Sequence, residues 1–384
     1  MKKTFLLFQC LSILITACNK PDTVKTYVLK PSSEIIKLQV DSTTSNVSDF
    51  LSYQYFDQTN QELLVFINSN KNEIQVFDLG AKRMAKKISV PEEGPRGTGK
   101  LQAVSFTGLD SLYLFPSTGN KLYLIDSEFR TFEALEYDPP VGYSNAITGN
   151  PFFVANPLFS GNKLFTKSLY ETNFRSVSNE QLSSIHLGYG IDLKTSMVEP
   201  LPHYYPEDYF EKGMKYFQFS VSYSDNGAVY SFFGDHNLYF AKDLNTELGS
   251  KEAKSAHLGK EIPIFPAEGD ALDRAEYYST SDHYGSLLYD EYREVYYRFC
   301  FPKIELSEMN DIRSNIRNPH AFSVLILDKD LNILGESLFD NNSRYLPMNA
   351  YVGKRGLYLS LNHADNEDVD EDFMAFELMQ LVGR

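Results

Sequence analysis

Glu34-Ile35-Ile36-Lys37-Leu38-Gln39-Val40 alternates apolar and polar side chains, so an extended strand here carries Ile36, Leu38 and Val40 on one face. Nothing adjacent in the sequence is a matching partner. At the other end of the chain, residues 345–351, 356–361 and 373–381 read as a unit of three strands, and then the chain stops. Between these ends, short runs rich in Val, Ile, Leu, Tyr and Phe recur, each closing on Asp and a polar turn. Ile74-Gln75-Val76-Phe77-Asp78, Leu122-Tyr123-Leu124-Ile125-Asp126, Leu238-Tyr239-Phe240-Ala241-Lys242-Asp243 and Val324-Leu325-Ile326-Leu327-Asp328 are the clear copies, and Ile191-Asp192 ends a weaker one. Recurrence at a few tens of residues marks an array or a propeller.

The copies divide the chain into units of four strands. The first spans residues 50–58, 62–68, 73–78 and 84–90; the second 101–107, 111–115, 121–126 and 131–137. A less clear third runs from Phe152 to about Val198. The fourth spans 218–224, 228–233, 237–242 and 251–258; the fifth 284–289, 294–301, 321–328 and 333–339. The last unit lacks one strand, and the segment around Ile36 is one strand too many. A ring leaves no open edge, so an all-β, six-bladed β-propeller closed by the N-terminal strand accounts for both. The rival, a large β-sandwich, needs no repeats. The Asp at the end of each third strand reads as turn chemistry, a carboxylate accepting backbone N–H groups a few residues on.

The first residues give the address. Lys2 and Lys3 precede an apolar stretch, 5–15, of signal-peptide length. Ile15-Thr16-Ala17-Cys18 resembles a bacterial lipobox, which implies a signal peptide over 1–17 and acylation of Cys18. Residues 18–26 then form a tether and 27–384 a single propeller domain. Acyl chains anchor because each buried CH₂ contributes about 0.8 kcal/mol. No later apolar run approaches the roughly 20 residues of a spanning helix. Only Asp22 follows Cys18 closely, beside Lys20, so an outer-membrane lipoprotein facing the periplasm is expected rather than one displayed at the cell surface. Processing leaves Cys18 and Cys300; Cys300, in an aromatic strand, reads as a small buried hydrophobe.

The 384 residues are 42% apolar and 23% charged, ordinary for a globular chain, and their net charge of −15 argues against nucleic acid as a partner. Basic or cation-bridged partners suit that charge. The short turns, such as Gly108-Leu109-Asp110 and Asp225-Asn226-Gly227, fall on one predicted end of the ring. The long connections, 91–100, 138–150, 170–181, 200–216, 260–276, 302–320 and 362–372, all fall on the other. Long loops gathered on one side favour a binding surface.

Candidate contacts on that surface are Arg96, His203, Tyr204, Tyr205 and Asp270. His203-Tyr204-Tyr205 opens the most aromatic loop, which reads either as a stacking platform or as loop packing, and the absence of Trp removes the commonest sugar platform. Asp270, with Asp273 and Glu276, reads either as a carboxylate cluster or as solvated acid. In the acidic run 364–372, Asp365, Glu367, Asp368 and Asp370 are of the oxygen-donor type that Ca²⁺ takes, but the run lacks the Gly and alternation of an EF-hand. No zincin motif, P-loop or nucleophile elbow occurs.

Glu92-Glu93-Gly94-Pro95-Arg96-Gly97, followed by Val104-Ser105-Phe106 and Asp110-Ser111-Leu112-Tyr113-Leu114, resembles a family of Bacteroidota lipoproteins known as a domain of unknown function and similar to six-bladed propeller lipoproteins. The resemblance implies the propeller fold and carries over no catalytic residue. The expected function is therefore a lipid-anchored envelope module that binds a protein, small molecule or glycan with its long-loop side. No cofactor beyond Ca²⁺ is expected. The alternative is a metal-assisted hydrolase or lyase with carboxylates on the axis.

Overall fold

Alternating apolar and polar residues between Asx-rich turns make antiparallel hairpins, and hairpins in series make four-stranded sheets. A computed structural model describes residues 26–383 apart from 49, 109, 147, 148, 225, 226, 267, 268 and 307. Six four-stranded sheets form a β-propeller in it. Cys18, the signal segment and most of the expected tether lie outside the described residues, as do Leu109, Asp225 and Asn226 of the two quoted turns.

The closing strand β1 is Tyr27–Gln39. Blade one holds β2 (Leu51–Phe56), β3 (Gln61–Asn68), β4 (Glu73–Asp78) and β5 (Arg83–Ser89). Blade two holds β6 (Leu101–Gly108), β7 (Ser111–Pro116), β8 (Lys121–Ile125) and β9 (Phe132–Glu136). A small hairpin follows, β10 (Gly149–Asn150) with β11 (Phe153–Val154). Blade three holds β12 (Leu158–Ser160), β13 (Lys163–Lys167), β14 (Gly188–Asp192) and β15 (Val198–Pro200). Blade four holds β16 (Phe219–Ser224), β17 (Gly227–Phe232), β18 (Asn237–Ala241) and β19 (Gly249–Glu252). Blade five holds β20 (His283–Asp290), β21 (Val295–Phe301), β22 (Phe322–Asp328) and β23 (Ile333–Phe339). Blade six is β24 (Leu346–Gly353), β25 (Gly356–Ser360), β26 (Phe373–Gly383) and, outermost, β1.

The closure is the one expected. β1 pairs antiparallel with β26, with Ile36 opposite Phe376 and Leu38 opposite Met374. Ile36, Leu38 and Val40 are buried while Lys37 and Gln39 are exposed, as period two requires. The start of β1 also crosses blade five. There the Leu29 N–H donates to Ser337 Oγ at 2.7 Å, and a Cβ on Gly335 would come within 1.9 Å of the Tyr27 carbonyl oxygen.

Apolar residues from neighbouring blades meet in six wedge-shaped clusters, one for each pair of adjacent blades around the ring. A buried cation ties blade five to blade four. Arg298 on β21 is fully buried and donates to Ser231 Oγ and to the carbonyls of Asp235, His236, Asn237 and Ala253 in blade four and its exit. Its guanidinium lies 3.4 Å from the Tyr284 ring centroid. Cys300, two residues on, is buried as expected, and burial pushes its thiol up to about 12.

The aspartates that end third strands cap turns. Asp126 Oδ1 accepts the N–H groups of Glu128 and Arg130 at 2.9 Å, and Asp328 Oδ1 accepts those of Asp330 and Asn332 at 2.9 and 2.7 Å. The Arg130 N–H above all lowers the Asp126 carboxyl to about 2. Asp78, Asp192 and Asp243 accept in the same way.

Among the described residues, three α-helices interrupt the long connections: α1 (Asn179–Leu182), α2 (Ala271–Thr280) and α3 (Met309–Arg317). The sequence read these stretches as loops. Among the described residues, no helix is long and apolar enough to cross a membrane.

Leu38→Ala removes a side chain with no exposed surface from the closing seam. It should cost about 2–5 kcal/mol of unfolding free energy, measured from urea midpoints, whereas Lys37→Ala on the exposed face should cost less than about 0.5 kcal/mol.

Candidate functional site

The two ends of the ring axis are not equivalent. The β10–β11 hairpin inserts between the inner strands β16 and β20. Ser220 Oγ donates to the Val154 carbonyl at 2.5 Å, and the Val154 N–H donates to Ser286 Oγ at 3.1 Å. Phe153, with Phe233, Phe265 and Tyr277, forms a separate aromatic cluster on the long-loop side of this plug. On the opposite side of the plug lies a cup of about 390 Å³, lined by inner-strand residues including Tyr53, Tyr223, Tyr289 and Asn349. Glu291 is, among the described residues, the one charged side chain of its lining. Among the described residues, no group of three or more His, Cys, Asp or Glu is placed to hold a metal ion.

The long-loop side carries a cleft of about 440 Å³. Its walls come from four of the long connections: Phe174 and Arg175; Tyr216 and Phe217; Phe265, Arg274 and Tyr278; and Ile316. Phe174 and Phe217 stack at 3.7 Å with an angle of 5°. The Arg175 guanidinium lies 5.5 Å from the Phe265 ring centroid and donates to the Gly269 carbonyl at 3.2 Å. The result is an aromatic slot with arginines at its rim, suited to hold an apolar body by area burial and stacking.

Most of the aromatic-loop candidates lie one layer behind this slot. His203 has no exposed surface; its Nδ1 accepts from the Tyr230 hydroxyl at 2.7 Å and its Nε2 donates to the Thr246 carbonyl at 3.1 Å. Burial lowers it to about 4, so it packs as a neutral ring. Tyr205 is buried and donates to the Phe217 carbonyl at 2.7 Å, and Tyr209 donates to the Tyr216 carbonyl at 2.7 Å. The aromatic loop is thus a scaffold that presents Tyr216 and Phe217. Tyr204 is partly exposed, and its ring centroid lies 4.6 Å from that of His186.

Asp270 caps α2. Its Oδ1 accepts from the Leu272 and Asp273 N–H groups at 2.7 and 3.0 Å, while its own N–H donates to Asp273 Oδ2 at 2.7 Å. It therefore orients the helix that carries Arg274 and Tyr278 to the slot. Arg96 lies elsewhere, between blades one and two. It donates to the carbonyls of Phe129 and Arg130 at 2.7 and 3.2 Å, over the Phe129 ring. In the acidic run, Asp368 sits 3.4 Å from Arg344, Asp370 caps the Asp372 N–H at 2.9 Å, Asp365 lies 3.7 Å from His363, and Glu367 is exposed.

Sequence reasoning named neither Phe174 nor Arg175, Phe217 or Arg274. The available signal was the Asp270-x-x-Asp273 spacing, which marks a helix start and so places Arg274 and Tyr278 on one element.

His283, stacked between Phe233 and Phe301 at 4.5 and 4.7 Å, is lowered to about 4 by burial. Its folded-state value lies below the unfolded 6.5. The stability held by the neutral ring is complete above about pH 6.5 and is lost as pH falls toward 4, by up to about 3 kcal/mol. His283→Phe keeps the ring and should lose less stability than the parent chain between pH 7 and pH 4.5, read from urea midpoints at both values.

No protein of curated function matches the chain. A Bacteroides vulgatus protein of the DUF4221 family superposes with a TM-score of 0.83 at 23% identity, covering 94% of this chain and all of that one. A Bacteroides fragilis protein provisionally named as exported superposes with a TM-score of 0.53 at 10% identity, covering 94% and 96% of the two chains. Both show the fold alone. The family model described as a domain of unknown function, DUF4221, matches residues 26–338, and the chain belongs to that family.

Proposed function

We propose that this protein is a lipid-anchored binding module of the cell envelope that takes its ligand on the long-loop side of the propeller. The observation that carries the reading is the slot itself: segments from the chain ranges 170–181, 200–216, 260–276 and 302–320 converge to build one aromatic cleft. Loops that merely tolerated insertion would have no reason to converge on a shared concave surface. Cys18 at the end of the lipobox supplies the anchor, and the tether of about eight residues leaves the propeller free to face the periplasm from the outer membrane. A likeness to a provisionally exported protein is consistent with that address.

Two measurements test this. Metabolic labelling with an alkyne fatty acid should mark the full-length chain and fail to mark Cys18→Ala; equal labelling of both would remove the anchor. The neutral fluorophore phenylnaphthylamine should brighten on binding the purified propeller. Ala275→Trp, which fills the cleft from α2, should weaken that binding by about tenfold or more. Unchanged binding with an unchanged melting curve would count against the cleft.

A further inference from the structure

The charge around the concavities decides what the slot prefers. Among the described residues, the axial cup has one charged residue in its lining, Glu291. A polar groove of about 540 Å³ on the long-loop side is lined by Asp208, Glu211 and Glu261 as well as lysines, and Lys212 pairs with Glu261 at 2.9 Å. The aromatic slot differs from both: among the described residues, the charged side chains that line it are Arg175, Arg274 and Lys215. Lys215 is turned away, its Nζ donating to the Gly234 carbonyl at 3.0 Å. Arg175 spends one nitrogen on Gly269 and is otherwise exposed. Arg274 is exposed, and its guanidinium makes no hydrogen bond or ion pair among the described residues. On a chain with a net charge of −15, two exposed arginines thus stand beside an apolar floor, with the Asp270 carboxylate at the start of α2 near Arg274.

We propose that the slot takes a small anionic molecule with a flat apolar body. The body lies against the Phe174–Phe217 stack, and its carboxylate or sulfonate is held by Arg175 and Arg274. A planar guanidinium fork matches such oxyanions in geometry as well as charge. The surrounding acidic surface repels anions that lack an apolar body to bury, which makes the two features act together. The proposal rests on the cleft-binding reading and adds the ligand class.

The experiment compares two probes of the same shape, anilinonaphthalene sulfonate and neutral phenylnaphthylamine, by fluorescence titration at low ionic strength. The sulfonate should bind about tenfold more tightly than the amine. The Arg175→Gln/Arg274→Gln double variant should bring the ratio of the two affinities to about one. Both arginines are exposed, so the variant should keep its melting temperature. If the two probes bind alike, or the difference survives in the double variant, while Ala275→Trp still weakens both, the anion preference is wrong and the cleft reading stands. If Ala275→Trp alters neither probe, both readings fail.

Discussion

A propeller depends on being shut. Each blade buries its two faces against its neighbours, so an open ring would leave two apolar faces in water and two unpaired strand edges. Here β1 does the shutting. Ile36, Leu38 and Val40 join the wedge between blades six and one, while Leu29 and Ile35 join the wedge between blades five and six. One strand from the start of the domain thus contributes to two of the six inter-blade cores. The same strand pairs with the last strand of the chain, which ties the two ends of the domain into a single cooperative unit.

A closed ring leaves a channel, and this chain treats its two ends differently. The β10–β11 hairpin fills the middle, hydrogen-bonded to Ser220 and Ser286 from two different blades. Its aromatic side supports Phe265 and Tyr277, and these carry the loops above. The plug therefore does two things at once. It ends the axial cup, and it gives the long connections a floor on which to pack. Without such a floor, four connections from blades three, four and five would have no common surface to settle on.

Polar side chains set the fine positions. Tyr205 and Tyr209 hold the carbonyls of Phe217 and Tyr216, and the Asp270 box aims α2. Arg298 satisfies its donors on a hydroxyl and four carbonyls without a carboxylate, which fixes blade five against blade four mainly through backbone. A buried charge held this way is intolerant of misplacement, because each acceptor lies at one spot on a rigid turn. The slot inherits its geometry from these contacts rather than from its own rings.

The strands, the six-fold recurrence and the closing partner of Ile36 were legible in the residues, because period-two alternation and Asp-capped turns are local and each unit repeats them. The turn role of Asp78, Asp126, Asp243 and Asp328 was legible for the same reason. The plug was not: Phe152-Phe153-Val154 reads as any strand would, and only its bonds to Ser220 and Ser286 on two different blades make it a stopper. Nor could the aromatic loop show that His203 and Tyr205 face inward while Phe217, from the end of the next connection, faces the slot. Local pattern determines which segments extend and where they turn. Which side chains from distant connections share a surface is decided by how the blades splay around the axis, a relation between residues about a hundred positions apart, such as Phe174 and Arg274, that alternation does not encode.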